Sequence, residues 1–323
     1  MHRVFFMALA LQRAASLSIA ITGSSQGIGL DAAKRLLAEG HTIYHGCRSA
    51  ARADAAVAGA GGGVPLVCDL ADLASVRAFA ASLPDDVDVL CLNAGVAPST
   101  KAAAPARTAD GFEACVGTNH LGHFALAELV APRLAARRGR IVVTASSVHD
   151  PAQPGGAVGG AGGATLGDLS GLAKLEDGGP TMVDGAAAYD GGKVYKDSKL
   201  CNVLFAREAL ARYPGVDVRS FNPGFIPSSG LFRAPREDNW LGATAFTFVA
   251  GLVGFAVPVA VGGARLAYVA TADGLARGAY LSAETGSRAV TFADGFDDGL
   301  ISPEGADAGL AARLWERSRE LVA

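Results

Sequence analysis

Short apolar runs alternate with stretches of helical periodicity from residue 17 to about 225. LSIAI (17–21), HTIYHG (41–46), VPLV (64–67), VDVLCL (87–92), GRIVVTAS (139–146) and VDVRSF (216–221) have the length and near-continuous apolarity of strands buried on both faces. Between them, GIGLDAAKRLLAEG (27–40), LASVRAFAASL (73–83), DGFEACVGTNHLGHFALAELVAPRLAARR (110–138) and KVYKDSKLCNVLFAREALARY (193–213) repeat apolar residues at helical spacing. Strands alternating with helices predict βαβ units, hence an α/β protein with a parallel sheet covered on both faces. One doubly wound domain over 17–323 is expected. The glycine-rich segment within 155–187 does not divide it, because the sheet pattern resumes afterwards.

Two apolar stretches stand outside this pattern. MHRVFFMALALQRAAS, residues 1–16, has early basic residues followed by apolar and small ones. Its plain reading is a strand lead-in, and its alternative is the remnant of a targeting segment. From Trp240 to Gly263 no residue is charged. That length is compatible with a membrane-spanning helix, but Pro258 and several glycines interrupt it and Arg265 follows at once. A buried or lid-forming apolar helix pair, within a lid of about 226–263, is the preferred expectation, and peripheral membrane contact is the second.

Composition narrows the function classes. Half of the 323 residues are hydrophobic, net charge is −3 and no basic block occurs, so no nucleic-acid partner is expected. The five cysteines are scattered through apolar runs without CxxC or His/Cys spacing, which predicts reduced buried thiols and no metal site.

The candidate chemistry begins at ITGSSQGIG, between the first strand and the first helix. Gly23, Gly27 and Gly29, with Ser25, Gln26 and Ile28 between them, form a T-G-x-x-x-G-x-G loop. Such a loop turns tightly, lets the backbone approach a pyrophosphate and aims helix N–H groups at it, as in Rossmann domains. The second strand ends in GCRSAAR, where an acidic residue would favour a bare ribose and an arginine a 2′-phosphate. Arg48 and Arg52 therefore predict NADPH. Asp69 and Leu70 follow the third strand, where Asp69 can accept from the adenine amino group. Asn93, Ala94 and Gly95 end the fourth with a small backbone that lets the cofactor lie close.

A nicotinamide reductase also needs a proton donor. Tyr195 and Lys199 lie four apart on a predicted helix, so they share a face, and a nearby ammonium is expected to lower the phenol's pKa. Ser146, at the end of the fifth strand, can orient the reacting group. Asn119 is locally unfavourable within a helix and is a candidate to hold a water for proton relay to Lys199. His120 and His123 beside it read as packing or hydrogen-bonding residues.

Together TGxxxGxG, NAG, the mid-helix Asn, the strand-end Ser and YxxxK resemble the short-chain dehydrogenase/reductase superfamily over nearly the whole chain. Ser146 and Tyr195 are 49 positions apart, against a dozen or so in compact members. That insertion, about 150–190, is similar to the one in light-dependent NADPH:protochlorophyllide oxidoreductases. GFEACVGTNHLGHF, LGDLSGL, YDGGKVYKDSKLCN, GLFR and LWERSRELV resemble segments of the same family. The resemblance implies hydride transfer from NADPH to C17 of protochlorophyllide and a proton at C18, driven by light that the pigment absorbs. It implies Tyr195 as proton donor or pigment orienter, and Lys199 as the ribose-binding residue that tunes it. It adds Pro223 and Gly224 to the cofactor-binding set and Phe225 and Phe232 to the substrate pocket. It further implies chlorophyll biosynthesis in a plastid, or a bacterial cytoplasm. A homo-oligomer is compatible with it. One position departs from the family: after Pro-Gly this chain has Phe225 where those enzymes typically have Cys. A dark NADPH-dependent reductase of a lipophilic carbonyl, retinal- or steroid-like, is the alternative. A non-catalytic NADPH-binding sensor or scaffold is the third reading, against which the intact Ser146–Tyr195–Lys199–Asn119 set argues.

Overall fold

The computed structural model describes residues 16–157, 163–232 and 255–323. The six apolar runs form β1 (Ser18–Thr22), β2 (Thr42–Cys47), β3 (Val64–Val67), β4 (Val89–Leu92), β5 (Arg140–Thr144) and β6 (Asp217–Phe221). They pair in parallel in the order β3-β2-β1-β4-β5-β6. Beyond the six predicted strands the sheet continues with β7 (Tyr280–Ser282), parallel to β6, and β8 (Asp297–Asp298), antiparallel to β7. Neither carries a readable pattern: β7 is three residues long, and β8 is a pair of exposed aspartates.

The helices are α1 (Gly27–Ala38), α2 (Ala50–Ala60), α3 (Leu73–Ser82), α4 (Ala114–Val116), α5 (Gly122–Arg137), α6 (Pro154–Ala157), α7 (Gly191–Arg212), α8 (Val259–Thr271) and α9 (Ala308–Val322). They cover both faces of the sheet's inner strands, which is why these read as continuous apolar runs; β3, expected to be buried, is instead an edge strand with Val64 and Val67 exposed. Alternation within each strand decides which layer a side chain joins. Leu90 and Leu92 of β4, with Ile141 and Val143 of β5, pack with α3, α5, α7 and α9. Val89, Cys91 and Val142 point the other way, with Ile19 and Ile21, onto α1 and α8. Asp72, Asp190 and Asp307 cap α3, α7 and α9, their carboxylates accepting first-turn backbone N–H groups.

Two predicted features take a different form. The helix expected over 110–138 is broken into α4, a π-helical turn at Gly117–Leu121 and α5. Asn119 sits in that turn, where the wider backbone spacing absorbs a residue that disfavours regular helix. The predicted lid ends earlier than expected, because Val259–Gly263 open α8. A Cβ on Gly263 would lie 2.5 Å from Asp31 Cβ on α1, so this end is helix-on-helix packing instead of a cover. Residues 233–254 and 1–15 lie outside the described residues, and with them most of the expected lid and the N-terminal extension. Among the described residues no helix is long and apolar enough to cross a membrane.

The segment between β5 and α7 is packed into the body. Leu166, Leu169, Leu172, Met182 and Val183 are buried in the α5–α7 layer. Lys193 Nζ pairs with Asp197 at 2.7 Å and Asp184 at 3.0 Å and donates to Thr165 O at 3.0 Å. Glu304 accepts from Leu166 N at 2.7 Å, which ties the same segment to the C-terminal region.

Candidate active site

The strand order reverses direction between β1 and β4, so a crevice opens beyond the C-terminal ends of these strands, where open α/β sheets bind ligands. It is a cleft of about 660 Å³. Its floor is the loop from Gly23 to Gly29. Gly23 has φ +70°, and a Cβ there would lie 2.8 Å from Ala94 Cα. A Cβ on Gly29 would come within 2.6 Å of Gly23 O. The loop can therefore press against the end of β4 only as glycine. Gln26, the N-cap of α1, makes no side-chain cap bond, which leaves the first-turn N–H groups to an anion in the cleft.

Arg48 follows β2, and Arg52 lies in the first turn of α2. Both line the cleft with Asp69 and Leu70, and among the described residues neither arginine is paired with a carboxylate. Asp69 Oδ1 accepts from Ala71 N at 3.0 Å. Asn93 lines the cleft with Ala94 and Gly95, but its carboxamide turns inward, donating to Thr22 O at 2.9 Å and accepting from Thr144 Oγ1 at 3.5 Å. Ser25, Ile28, Pro223 and Gly224 line the same cleft.

The opposite wall carries the proton chemistry. Ser146, Tyr195 and Lys199 all line the cleft. Ser146 caps a short 3-10 turn through Val148 N at 3.4 Å. Its backbone carbonyl accepts from His149 Nδ1 at 2.6 Å, while His149 Nε2 accepts from Ser302 N at 3.3 Å. Lys199 Nζ is 5.7 Å from the centre of the Tyr195 ring and donates to Thr144 O at 3.1 Å. Burial holds this ammonium's pKa down to about 8. Burial also pushes the Tyr195 phenol up, with Cys115 adding to the effect. The expected lowering of the phenol by Lys199 is thus reversed: both groups are desolvated together, and the ammonium is spent on a backbone carbonyl.

Asn119 also departs from expectation. Its Oδ1 accepts from Val96 N at 2.8 Å, and its Nδ2 donates to Val96 O at 2.9 Å and Ser198 Oγ at 3.0 Å. The carboxamide is occupied by protein partners and clamps the loop after β4 to α7, instead of being set out to hold a water. His123 bonds Thr22 Oγ1 at 2.9 Å and Asn119 O at 3.1 Å. His120 bonds Ser318 Oγ at 2.8 Å. Burial lowers His123 to about 4 and His120 to about 3, so both are neutral packing residues. Phe225 lines the cleft, its ring 5.5 Å from that of Phe255. Phe232 closes a 3-10 turn at Gly230–Phe232, and its side chain lies outside the described residues.

Sequence reasoning missed Thr22, whose Oγ1 accepts from Asn93 N and Ala94 N at 2.9 and 3.0 Å and so sets the height of the cleft floor. It also passed over Arg265, which is 1% exposed. Arg265 donates to Pro223 O, Ser287 O and Ala289 O at 3.1, 2.9 and 2.8 Å, fixing the loop that carries Gly224 and Phe225. Its one signal was a lone charge at the end of a long apolar run.

A family profile described as short chain dehydrogenase matches residues 18–173. The chain is 38% identical to protochlorophyllide reductase A, chloroplastic, of Triticum aestivum, covering 94% of this chain and 80% of that one. It is 38% identical to a protochlorophyllide reductase of Avena sativa, covering 94% and 99%. The chain belongs to the short-chain dehydrogenase/reductase family. Among solved structures, an uncharacterized protein from Mycobacterium Paratuberculosis is similar with a TM-score of 0.66 at 26% identity, covering 95% of this chain and 93% of that one. This short-chain reductase is an NADPH-dependent oxidoreductase. Its own residues fit that cofactor: a loop where a Cβ on Gly23 or Gly29 would clash, helix amides without a side-chain cap for a diphosphate, and two arginines that among the described residues are paired with no carboxylate, for a 2′-phosphate. Such a cleft can hold a dinucleotide along one wall and present a substrate to Tyr195 on the other.

Proposed function

We propose that this enzyme reduces the C17=C18 double bond of protochlorophyllide to give chlorophyllide, with light absorbed by the pigment driving the reaction. The observation that carries this reading is the segment between Ser146 and Tyr195. It is not a surface excursion: Ser147, Val148 and Gly155 from it line the cleft beside Tyr195, and its leucines are buried in the core. A wall built from so long a segment suits a large flat substrate, and the naming of the wheat and oat relatives supports the pigment in question. The chloroplastic naming of the wheat relative supports a plastid location.

Bound NADPH supplies the hydride that reaches C17. Tyr195 holds a proton on its phenol oxygen at cleft pH, because burial keeps the phenol protonated, and gives it to C18. Lys199 lies under the Tyr195 ring, where its N–H groups can hold a ribose hydroxyl and so orient the cofactor beside the phenol. The net change is two hydrogens added to the ring and NADPH oxidised to NADP⁺. Preorganisation is the protein's main contribution, since Thr22, Asn119 and Arg265 fix the three loops that meet at the reacting centre.

Phe225 favours a second reading. It occupies the cleft position where the resembled family carries Cys, and it has no proton to give. A dark reductase of a lipophilic carbonyl would use the same Tyr195 and Lys199, with the proton going to oxygen. One experiment separates them. The protein is mixed with NADPH and protochlorophyllide in the dark, flashed, and followed in the red. A shift to chlorophyllide absorption is expected. Bound pigment that stays unconverted, with NADPH consumed in the dark on a retinal- or steroid-like carbonyl, would overturn the first reading in favour of the second.

A further inference from the structure

Behind the glycine loop lies a buried polar chain that takes no part in the proton chemistry. Of the loop residues 23–29, Ser24 is the one that does not line the cleft. Its side chain turns inward and is fully buried, as is His45 of β2. His45 Nδ1 lies 3.0 Å from Ser24 Oγ, and His45 Nε2 lies 3.0 Å from Gly62 O. Ser24 Oγ is also 3.7 Å from the Sγ of Cys47, which follows His45 by two positions and so shares its strand face. The turn between α2 and β3 closes on the imidazole: a Cβ on Gly63 would lie 2.5 Å from His45 Nε2.

The ends of this chain set its polarity. A carbonyl can only accept, so Nε2 carries the ring proton and donates to Gly62 O. Nδ1 then offers a lone pair to the Ser24 hydroxyl, and the Ser24 oxygen can accept from the Cys47 thiol. Burial lowers the His45 pKa, partly offset by the Gly62 bond, in keeping with a neutral ring. We propose that His45 is a positioning residue for the cofactor: it anchors Ser24 from behind, so that Gly23 and Ser25 on either side face the cleft and the loop keeps the shape that receives the diphosphate. Gly23 N donates to Gly46 O at 2.7 Å, so backbone and side chain together tie the loop to β2. The far end of the anchor is a backbone carbonyl in a tight turn, which gives the imidazole a fixed footing. Without the ring, the Ser24 hydroxyl and Gly62 O would both be left without this partner, and the loop would shift to satisfy them. The diphosphate is common to NADPH and NADH, so the loss falls on both dinucleotides, unlike a loss at Arg48. None of this depends on which substrate is reduced.

The test titrates the full chain with NADPH and with NADH in the absence of substrate, read by nicotinamide fluorescence. Ser24→Ala and His45→Leu each weaken both dinucleotides by about five- to tenfold, the scale of one neutral hydrogen bond and its stranded partner. The double variant loses no more than the larger single loss, because both substitutions break the same bond. In His45→Gln the amide nitrogen can donate to Gly62 O and the amide oxygen can accept from Ser24, and affinity returns to within about twofold of the wild type. Ser24→Ala removes one oxygen atom and keeps the test open if His45→Leu does not fold. Nitrogen NMR of histidine-labelled protein, with the His45 signal assigned by its absence in His45→Gln, shows the neutral Nε2–H tautomer at neutral pH. A Ser24→Ala variant with wild-type affinity, single losses that add in the double variant, or a loss confined to NADPH would overturn the proposal. So would a Gln variant that binds no better than the Leu variant, or a His45 ring found as the Nδ1–H tautomer or the imidazolium.

Discussion

Replacing Asn119 by Ala separates a structural clamp from a water-holding relay. The Asn119 side chain is fully buried and has bonds to Val96 N, Val96 O and Ser198 Oγ at 2.8, 2.9 and 3.0 Å, with Cys115 Sγ at 3.3 Å. Three neutral hydrogen bonds contribute about 0.5–1.5 kcal/mol each, and partners left buried without a replacement add to that loss. Two corrections reduce the sum. Val96 is 40% exposed, so its backbone groups can regain water, and Ser198 Oγ keeps its bond to Tyr195 O at 2.7 Å. Alanine also recovers about 0.5 kcal/mol of helix propensity. The net expectation is a loss of about 2–3 kcal/mol, measured as the shift in urea unfolding followed by tryptophan fluorescence. Turnover falls with it, because Ser198 lies one turn from Tyr195 and the Val96 loop forms the cleft rim. A variant that loses turnover while its unfolding free energy changes by less than about 1 kcal/mol would refute the clamp and restore the relay.

Other consequences follow from burial and charge. All five thiols are buried and held above their ordinary pKa by desolvation. Unfolding frees them to ionise, so stability from this source is intact below about pH 8.5 and declines as pH rises above it; a unfolding midpoint that holds steady or increases from pH 8 to 10 under reducing conditions would contradict this. Arg48→Ala weakens NADPH binding about tenfold while NADH binding stays within about twofold, the loss of one charged hydrogen bond at an exposed site; equal losses for both dinucleotides would remove Arg48 from the 2′-phosphate. Phe225→Cys raises the yield per flash on the photochemical reading, and an equal or lower yield counts against a proton-delivery role at that position.

The parts of the fold that could be read in advance are those whose signal is local. Five strands were legible because a strand buried on both faces must be apolar throughout, and β3 because VPLV is apolar although this edge strand is largely exposed; Ser146, Tyr195 and Lys199 were legible because each sits at a fixed offset from a strand end or a helix turn. β7 and β8 were not, since three residues beside a finished sheet or two exposed aspartates need no pattern. The site's supporting bonds were invisible for a different reason. Thr22 meets His123 across 101 positions and Asn119 meets Val96 across 23, and no periodicity links such pairs. The sign of the Tyr195 shift was missed because burial depth, which dominates it, does not appear in a motif; the motif shows only that a lysine is near.

The same helix carries the acid, its lysine and the anchor of the long preceding segment, and this explains why that segment belongs to the site. Lys193, two positions before Tyr195, holds Thr165 O and Asp184 from the segment while pairing with Asp197 on α7. Tyr189, just before the helix, donates to buried Glu113 at 3.0 Å, and Glu113 caps α4 ahead of the π turn that contains Asn119. A displacement of the segment's wall is therefore transmitted to the first turn of α7 and, through Glu113, to the Asn119 clamp. Shortening the segment to the dozen residues of a compact reductase would remove Leu166, Leu172 and Met182 from the core they fill and leave Lys193 and Asp197 without their outer partners. The loss would appear as weakened structure around Tyr195 before it appeared as lost pigment contacts, which is the behaviour of a substrate wall built into the core and not of a loop laid over it.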